Sequence, residues 1–374
     1  MQLKKKKILL CVTNDISYDQ RMQRIGESLF RAGYEVELIG RLLPNSKPVD
    51  NAFNFKTTRL KCIFNKGKLF YMEYNIRLLF YLIKQSFDAI CAVDFDTLLA
   101  AKLATGLHNK ILVFDAHEHF TEVPEVTNRP FTKWVWHKLG RLLVPYAQLC
   151  YTVGPQLADI LSKTYHNKFK YIMNVPVNNN QADTSVNIAE NFAAVPKIIL
   201  YQGALNESRG LEQSILAMHQ IHNAQLLIAG EGDLSASLRE LVQKEKLSDK
   251  VIFLGYLTPT ELKKYTQKAA IGLNLLEPVG LSYYYSLANK YFDYMQAGVP
   301  CVCANFPEYQ HINQQYACSV LTDCDVTAIA SAINNLLSNW EQYEQLSKNC
   351  LKASKDFNWA IEEQKLIGYY QQIL

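Results

Sequence analysis

The chain has no long apolar run. No window of its 374 residues reaches the roughly eighteen consecutive apolar residues that a membrane-spanning helix needs. Its start, MQLKKKKILLCVTND, imitates a secretory leader only briefly. The apolar stretch stops at Val12, before Thr13, Asn14 and Asp15, and no small-residue cleavage site follows. A strong charge of either sign is also missing: the net charge is +4, too mild to argue for a nucleic-acid partner, and none is expected. Nine cysteines are present, yet no CxxC pair and no Cys/His ligand spacing occurs. That excludes the common zinc and dithiol motifs. Several cysteines sit inside apolar strand-like runs, as in ILLCVT and DAICAV, which reads as buried free thiols in a reducing compartment. A cytoplasmic protein is expected, peripheral at most to the inner face of a membrane.

What is there is an alternation of β and α segments long enough for two domains. KILLCVT (7–13) precedes an amphipathic helix over 19–32 closed by Gly33, and YEVELIG (34–40) is the next strand. RLLFYLIKQS (77–86) is helical, followed by the strands DAICAV, ILVFDAH (111–117), QLCYTV (148–153) and KYIMNV (170–175). Residues 177–195, VNNNQADTSVNIAENFAAV, lose the periodicity and read as a linker. The second half resumes with strands at KIILYQG (197–203), AQLLIAG (224–230), KVIFLGY (250–256), AIGLNLL (270–276) and VPCVCAN (299–305). Helices fall near 210–221, 234–246, 259–268 and 287–297. The expected architecture is α/β, with parallel sheets wrapped by helices: a first domain over 1–176, the linker, a second domain over 196–355, and a final amphipathic helix over 356–374 free to pack on either. Ligands of such sheets bind at the carboxyl ends of the strands, here in a cleft between two domains.

The stretch Glu277–Pro300, EPVGLSYYYSLANKYFDYMQAGVP, is the most informative. A buried strand, a Gly-containing turn and a helix N-terminus make a seat for a phosphate, because free backbone N–H groups and the helix dipole point outward there. Gly298 and Pro300 mark the far end of that helix.

Four segments, in order, resemble the donor domain of the GT-B glycosyltransferases, in the large retaining family that includes sucrose synthases and mannosyltransferases (glycosyl transferases group 1). They are YQGALNESRGLEQSILAM (201–218), LLIAGEGDLSASLRELV (226–242), KVIFLGYLTPTELKKYTQKAAIGLNL (250–275) and NKYFDYMQAGVPCV (289–302). Residues 1–175 match more weakly, chiefly through DAHEHF (115–120). The resemblance implies a GT-B fold, two Rossmann-like domains facing across a cleft, and a retaining hexosyl transfer from a nucleotide sugar to a glycan or lipid-linked acceptor in cell-surface polysaccharide assembly. A sugar-nucleotide epimerase of similar fold and a non-catalytic nucleotide-sugar-binding subunit are the alternatives.

In a retaining transfer negative charge builds on the departing diphosphate, and preorganised cations and N–H groups stabilise it. By resemblance Arg209 takes the place of the family's Lys and clamps the diphosphate, while the family's earlier Arg is replaced by Ala204. Lys290, beside Asn289 at the start of the last helix, is the candidate for the missing charge. Asp293 matches the family's last Glu and is expected to accept from the ribose hydroxyls. The family's first Glu would fall at Tyr285; an insertion, SYYYSLAN, makes Glu277 the residue expected at the donor sugar. The Gly280 and Leu281 N–H groups are expected to meet the phosphate, and Gly203 to let it approach the backbone. The base is expected near Gly255, Tyr256 and Leu257. Gly230 and Gly232, in GEGD, read as a mainly structural turn.

In the first domain His117 is expected to touch the donor sugar, its pKa raised by Asp115 and Glu118. Asp19 and Arg21 either bind acceptor or phosphate or form a capped helix start. Asp94-Phe95-Asp96 has the spacing of a metal-binding DxD but reads as a strand end and helix cap. No cofactor or metal is expected, since protein cations neutralise the diphosphate. RPFTKWVWHKLGRLLVP (129–145) mixes aromatic and basic residues. It is either a core-packing helix with a solvated basic face or a peripheral contact with an anionic membrane.

Overall fold

The computed structural model describes residues 5–46, 48–49, 53–122, 129–177 and 188–374. The chain divides into two compact units, Met1–Met173 with Glu362–Leu374, and Asn174–Ile361. Most of the expected linker falls outside the described residues; its last part is helical, Ile188–Ala193.

The first unit holds a seven-stranded parallel sheet: β1 (Lys7–Cys11), β2 (Glu35–Leu42), β3 (Lys56–Lys61), β4 (Ala89–Val93), β5 (Ile111–Ala116), β6 (Leu149–Thr152) and β7 (Phe169–Tyr171). Their order is β3-β2-β1-β4-β5-β6-β7. β4, AICAV, is buried at every position because helices cover both faces, which is why it reads as a continuous apolar run rather than an alternation. β3, KTTRLK, escaped the sequence reading. It is a polar edge strand with no fully buried residue, so it carries no hydrophobic signal.

The second unit holds six parallel strands: β8 (Lys197–Gln202), β9 (Ala224–Ala229), β10 (Val251–Gly255), β11 (Ile271–Asn274), β12 (Cys301–Ala304) and β13 (Ser319–Thr322), ordered β10-β9-β8-β11-β12-β13. Helix Asn289–Gln296 ends in a Schellman arrangement: the Gly298 N–H donates to the Met295 carbonyl and the Val299 N–H to the Tyr294 carbonyl. Gly298 has φ +64°, the left-handed conformation that the stop requires. The segment read as an insertion begins within a short helix. Residues Gly280–Tyr284 form a short helix of their own.

The final helix, Trp359–Gln371, joins the first unit from Glu362 onward. The buried Glu362 carboxylate accepts from the Met173 N–H at 2.9 Å, and Lys170 donates to Gln372 at 2.7 Å. All nine cysteines are free, and only Cys324 is more than marginally exposed. Among the described residues no helix is long and apolar enough to cross a membrane.

Candidate functional site

In both sheets the strand order reverses once, between β1 and β4 in the first unit and between β8 and β11 in the second. Loops leaving the carboxyl ends of such a pair diverge and leave a crevice, where open α/β sheets bind ligands.

At the β8/β11 reversal the second unit gathers two cations. Lys290, in the first turn of helix Asn289–Gln296, is only 7% exposed. Its Nζ makes no hydrogen bond and lies 3.8 Å above the ring of Tyr201, the next-to-last residue of β8. Arg209, in the loop after β8, stacks its guanidinium 5.2 Å from the Tyr283 ring, and its Nε is buried without a partner. Burial first, and then repulsion from Arg209, hold the Lys290 ammonium well below its usual pKa; only the Cys301 thiol opposes them. Among the described residues no carboxylate shifts this lysine. An unpaired buried ammonium beside a guanidinium is unfavourable by itself and becomes favourable once an anion enters.

The surrounding loops are fixed by backbone geometry. Gly203 follows β8 with φ +134°, and a Cβ there would point at Lys290, 3.5 Å from Nζ. Gly230, after β9, packs its Cα onto the Gly203 carbonyl so closely that an added Cβ would stand 1.9 Å from that oxygen. The GEGD turn therefore supports the Gly203 loop from behind. The Tyr201 hydroxyl donates to the Ala204 carbonyl at 2.8 Å, which steadies the loop at the position where Ala204 replaces an expected Arg.

Glu277 follows β11 and is half-buried. It accepts from the Gln213 amide at 2.9 Å, and its own N–H donates to the Ser208 carbonyl, joining the β11 loop to the β8 loop. Asp293 accepts from the Gln202 amide at 2.8 Å, and Gln202 in turn accepts from the Thr266 hydroxyl at 2.9 Å. Its carboxylate is thus oriented at the end of β8. Asn289 is exposed and accepts from Asn174 at 2.7 Å. Gly280 and Leu281 open the short helix Gly280–Tyr284, whose first turn leaves N–H groups free of intrahelical partners. Gly255 ends β10 with φ +68° and accepts from the Gly230 N–H at 2.8 Å, while Tyr256 is 73% exposed. The structure therefore brings Gly203, Arg209, Glu277, Gly280, Leu281, Lys290 and Asp293 onto the loops and helices that follow β8 and β11, with Gly255 at the edge strand two places from β8.

The first unit's reversal has the opposite charge. Thr13 follows β1, and its hydroxyl donates to the buried Asp96. Asp94 follows β4 in a positive-φ conformation, φ +54°. The expected helix cap is not made by Asp94: its carboxylate accepts from the His117 N–H at 2.9 Å instead of from the helix that follows. His117 Nε2 lies 3.2 Å from Asp115, whose other oxygen accepts from Arg21 at 3.1 Å. Burial opposes charge on His117, but Asp115 and Asp94 outweigh it and raise the pKa to about 9. Asp94, not the neighbouring Glu118, is thus the second carboxylate on the ring. Burial pushes Asp94 up to about 8 and Asp96 up to about 6. Against the same burial, Arg21 and His117 keep Asp115 below the usual carboxylate range. Asp19 caps helix Gln20–Arg31 by accepting from the Met22 N–H, so of the two readings of Asp19 the structure shows the cap; Arg21 is committed to Asp115 and to the Ile172 carbonyl.

Sequence reasoning missed Tyr201, Tyr283 and Gln202. Tyr283 lies in the segment read as an insertion, and the aromatic face it offers Arg209 leaves no motif. Gln202 is visible only as the last residue of an apolar strand. A polar residue in that place was the available signal.

The model of the family Glycosyl transferases group 1 matches residues 187–353. An uncharacterized glycosyltransferase of Methanocaldococcus jannaschii is 28% identical over 182 residues, 47% of this chain and 45% of that protein, so the match spans about half the length of this relative. Sucrose-phosphate synthase of Thermosynechococcus elongatus superposes with TM-score 0.80 at 19% identity, covering 98% of this chain and 99% of that one. Anabaena HepE in complex with UDP and glucose superposes with TM-score 0.77 at 15% identity, covering 98% and 99%. At these identities the structural likenesses speak to fold, and over nearly the whole chain they bear out the expected GT-B class with two Rossmann-like units.

Proposed function

The model of the Glycosyl transferases group 1 family matches residues 187–353, and from that match we propose that the protein is a retaining glycosyltransferase that takes a hexosyl unit from a nucleotide sugar. The observation that carries this is the pair of cations at the β8/β11 reversal, Lys290 and Arg209: among the described residues the buried Lys290 has no hydrogen-bond partner and no carboxylate acts on it. A nucleoside diphosphate supplies the missing negative charge. HepE, which shares the fold, binds UDP and glucose, which favours a uridine nucleotide as the first donor to try.

The proposed roles join the family resemblance to this geometry. As the bond from the anomeric carbon to the diphosphate breaks, the charge on the departing phosphate grows, and Arg209 and Lys290 stabilise it with little reorganisation. Gly203 keeps side-chain bulk off that approach, and the free N–H groups of Gly280 and Leu281 lie at the start of the short helix that carries Tyr283. Asp293, oriented by Gln202, accepts from the two ribose hydroxyls. Glu277 holds sugar hydroxyls, Asn289 stands at the head of the Lys290 helix, and Gly255 and Tyr256 border the base. His117, charged at neutral pH, donates to the sugar. With protein cations on the diphosphate the transfer is metal-independent, and the acceptor is a glycan or lipid-linked sugar of surface-polysaccharide assembly, handled in the cytoplasm.

The test is incubation with a panel of nucleotide sugars, with and without glycan acceptors, followed by NMR of the product. The proposal expects nucleoside diphosphate release that needs Arg209, and an α-linked product from an α-linked donor. An inverted anomer overturns the retaining mechanism. Epimerised nucleotide sugar without acceptor turns the reading to an epimerase. Tight donor binding with neither hydrolysis nor transfer turns it to a binding subunit.

A further inference from the structure

Helix Gly67–Ile83 of the first unit is apolar on both faces. Phe70, Tyr74, Leu78 and Leu82 are buried against the sheet, while Leu69, Met72, Ile76 and Phe80 line the opposite side and are 49–62% exposed. Helix Phe95–His108 repeats the pattern, with Leu99, Leu103 and Leu107 exposed at a spacing of four. A helix of a globular protein ordinarily presents polar residues on its outer face. Helix Pro130–Leu143 adds Phe131, Trp134 and Leu142, each more than half exposed, and Tyr146 follows it. Trp136, by contrast, packs on Phe120 and Tyr71, so this helix is neither wholly core nor wholly surface.

The three outer stripes are continuous. Lys68 lies 6.0 Å over the Phe131 ring, Tyr71 meets Trp136 edge-on at 6.3 Å, and Lys102 lies 4.3 Å over Tyr146. The charges are one-sided. The three helices carry Lys68, Arg77, Lys102, Lys133, Lys138 and Arg141 against two carboxylates, Glu73 and Asp96. Glu73 is tied to Arg77 at 2.7 Å and Asp96 is buried. The basic side also shows at His137, whose pKa is lowered by burial and then by Arg141, Lys138 and Lys133.

We infer that this three-helix face of the first unit docks on an anionic lipid surface. Exposed Leu, Ile, Met, Phe and Trp side chains enter the boundary between headgroups and acyl chains, and the Lys and Arg side chains meet lipid phosphates. A second copy of this chain fits worse, because it would press the same cations against one another. The inference stands independently of the nucleotide-sugar reading.

The test is co-sedimentation of the full chain with phosphatidylcholine vesicles, with and without phosphatidylglycerol. Binding is expected only with phosphatidylglycerol, and weaker at high salt. Lys138→Gln with Arg141→Gln is expected to weaken it about thirtyfold, since each basic group adds about fivefold at such a surface. Phe80→Ser with Trp134→Ser changes exposed side chains and is expected to lose binding while melting temperature and UDP binding stay as in the wild type. Failure to bind phosphatidylglycerol vesicles overturns the inference, as does unchanged binding by both double variants. A dimer in solution that Phe80→Ser with Trp134→Ser dissolves, without vesicle binding, overturns it in favour of a second copy.

Discussion

The two units share one topology and carry opposite chemistry at the same place in it. At the β8/β11 reversal of the second unit Lys290 and Arg209 stand together with aromatic faces beneath them and, among the described residues, no acid acting on the lysine. At the β1/β4 reversal of the first unit three acids, the buried Asp96 and Asp115 and the partly exposed Asp94, crowd around His117. The first site is internally neutralised: Arg21 and His117 answer Asp115, and His117 also faces Asp94. The second is left incomplete. A site whose charge is satisfied from within holds its shape and donates or accepts single hydrogen bonds. A site with uncompensated charge waits for a charged ligand. The comparison thus gives the proposed anion site in the second unit a physical ground of its own, apart from any family likeness.

The largest effect expected from breaking this contrast is on the self-satisfied side. Asp115→Ala strands Arg21 in the core and should cost about 3–5 kcal/mol of first-unit stability in denaturant unfolding. Arg209→Ala on the incomplete side should leave stability near wild type and lower the catalytic rate about a hundredfold or more, as loss of a transition-state charge partner does. A stability loss there comparable to that of Asp115→Ala would erase the distinction.

The pH dependences should also differ in kind. His117 has its folded pKa raised to about 9, so the stability it contributes is full below about 6.5 and fades as pH rises through 9. Melting temperature should show that decline, and His117→Gln should flatten it. Lys290 has its pKa lowered, so in the free protein it sheds its proton below the usual lysine range, and an incoming diphosphate restores it. Nucleotide binding should therefore take up a proton and weaken with rising pH, by about tenfold per unit at most. Calorimetry in buffers of different ionisation enthalpy measures that uptake. The smallest effect serves as a control. Thr258→Ala removes the capping box of helix Pro259–Lys268 and should cost about 1 kcal/mol without touching nucleotide affinity.

Much of this was legible in the sequence, for reasons that differ by residue. Parallel strands buried on both faces announce themselves as apolar runs, and Gly298 with Pro300 marks a helix end by conformation alone. Lys290 was a candidate because of its place after a strand and turn. Its isolation from acids was not legible, because that depends on which chains pack around it. Asp94 shows the limit clearly: it stands where a helix cap belongs, yet its carboxylate turns to the His117 backbone across a neighbouring strand. Tyr283 was hidden for the same reason, since stacking under Arg209 is a property of the fold and not of spacing. β3 was missed because an edge strand made of Lys, Thr and Arg has no buried face to create a pattern.

The central claim is that the uncompensated Lys290–Arg209 pair is the seat of a nucleoside diphosphate. Titration calorimetry of UDP, and of GDP and ADP in parallel, into the wild type and Lys290→Met tests it most directly. The account predicts that one nucleotide binds the wild type with proton uptake, and that the methionine variant, folded to the same melting temperature or higher, loses both the uptake and most of the affinity. Equal affinity in the two proteins, or binding by the wild type with no exchange of protons, would contradict it.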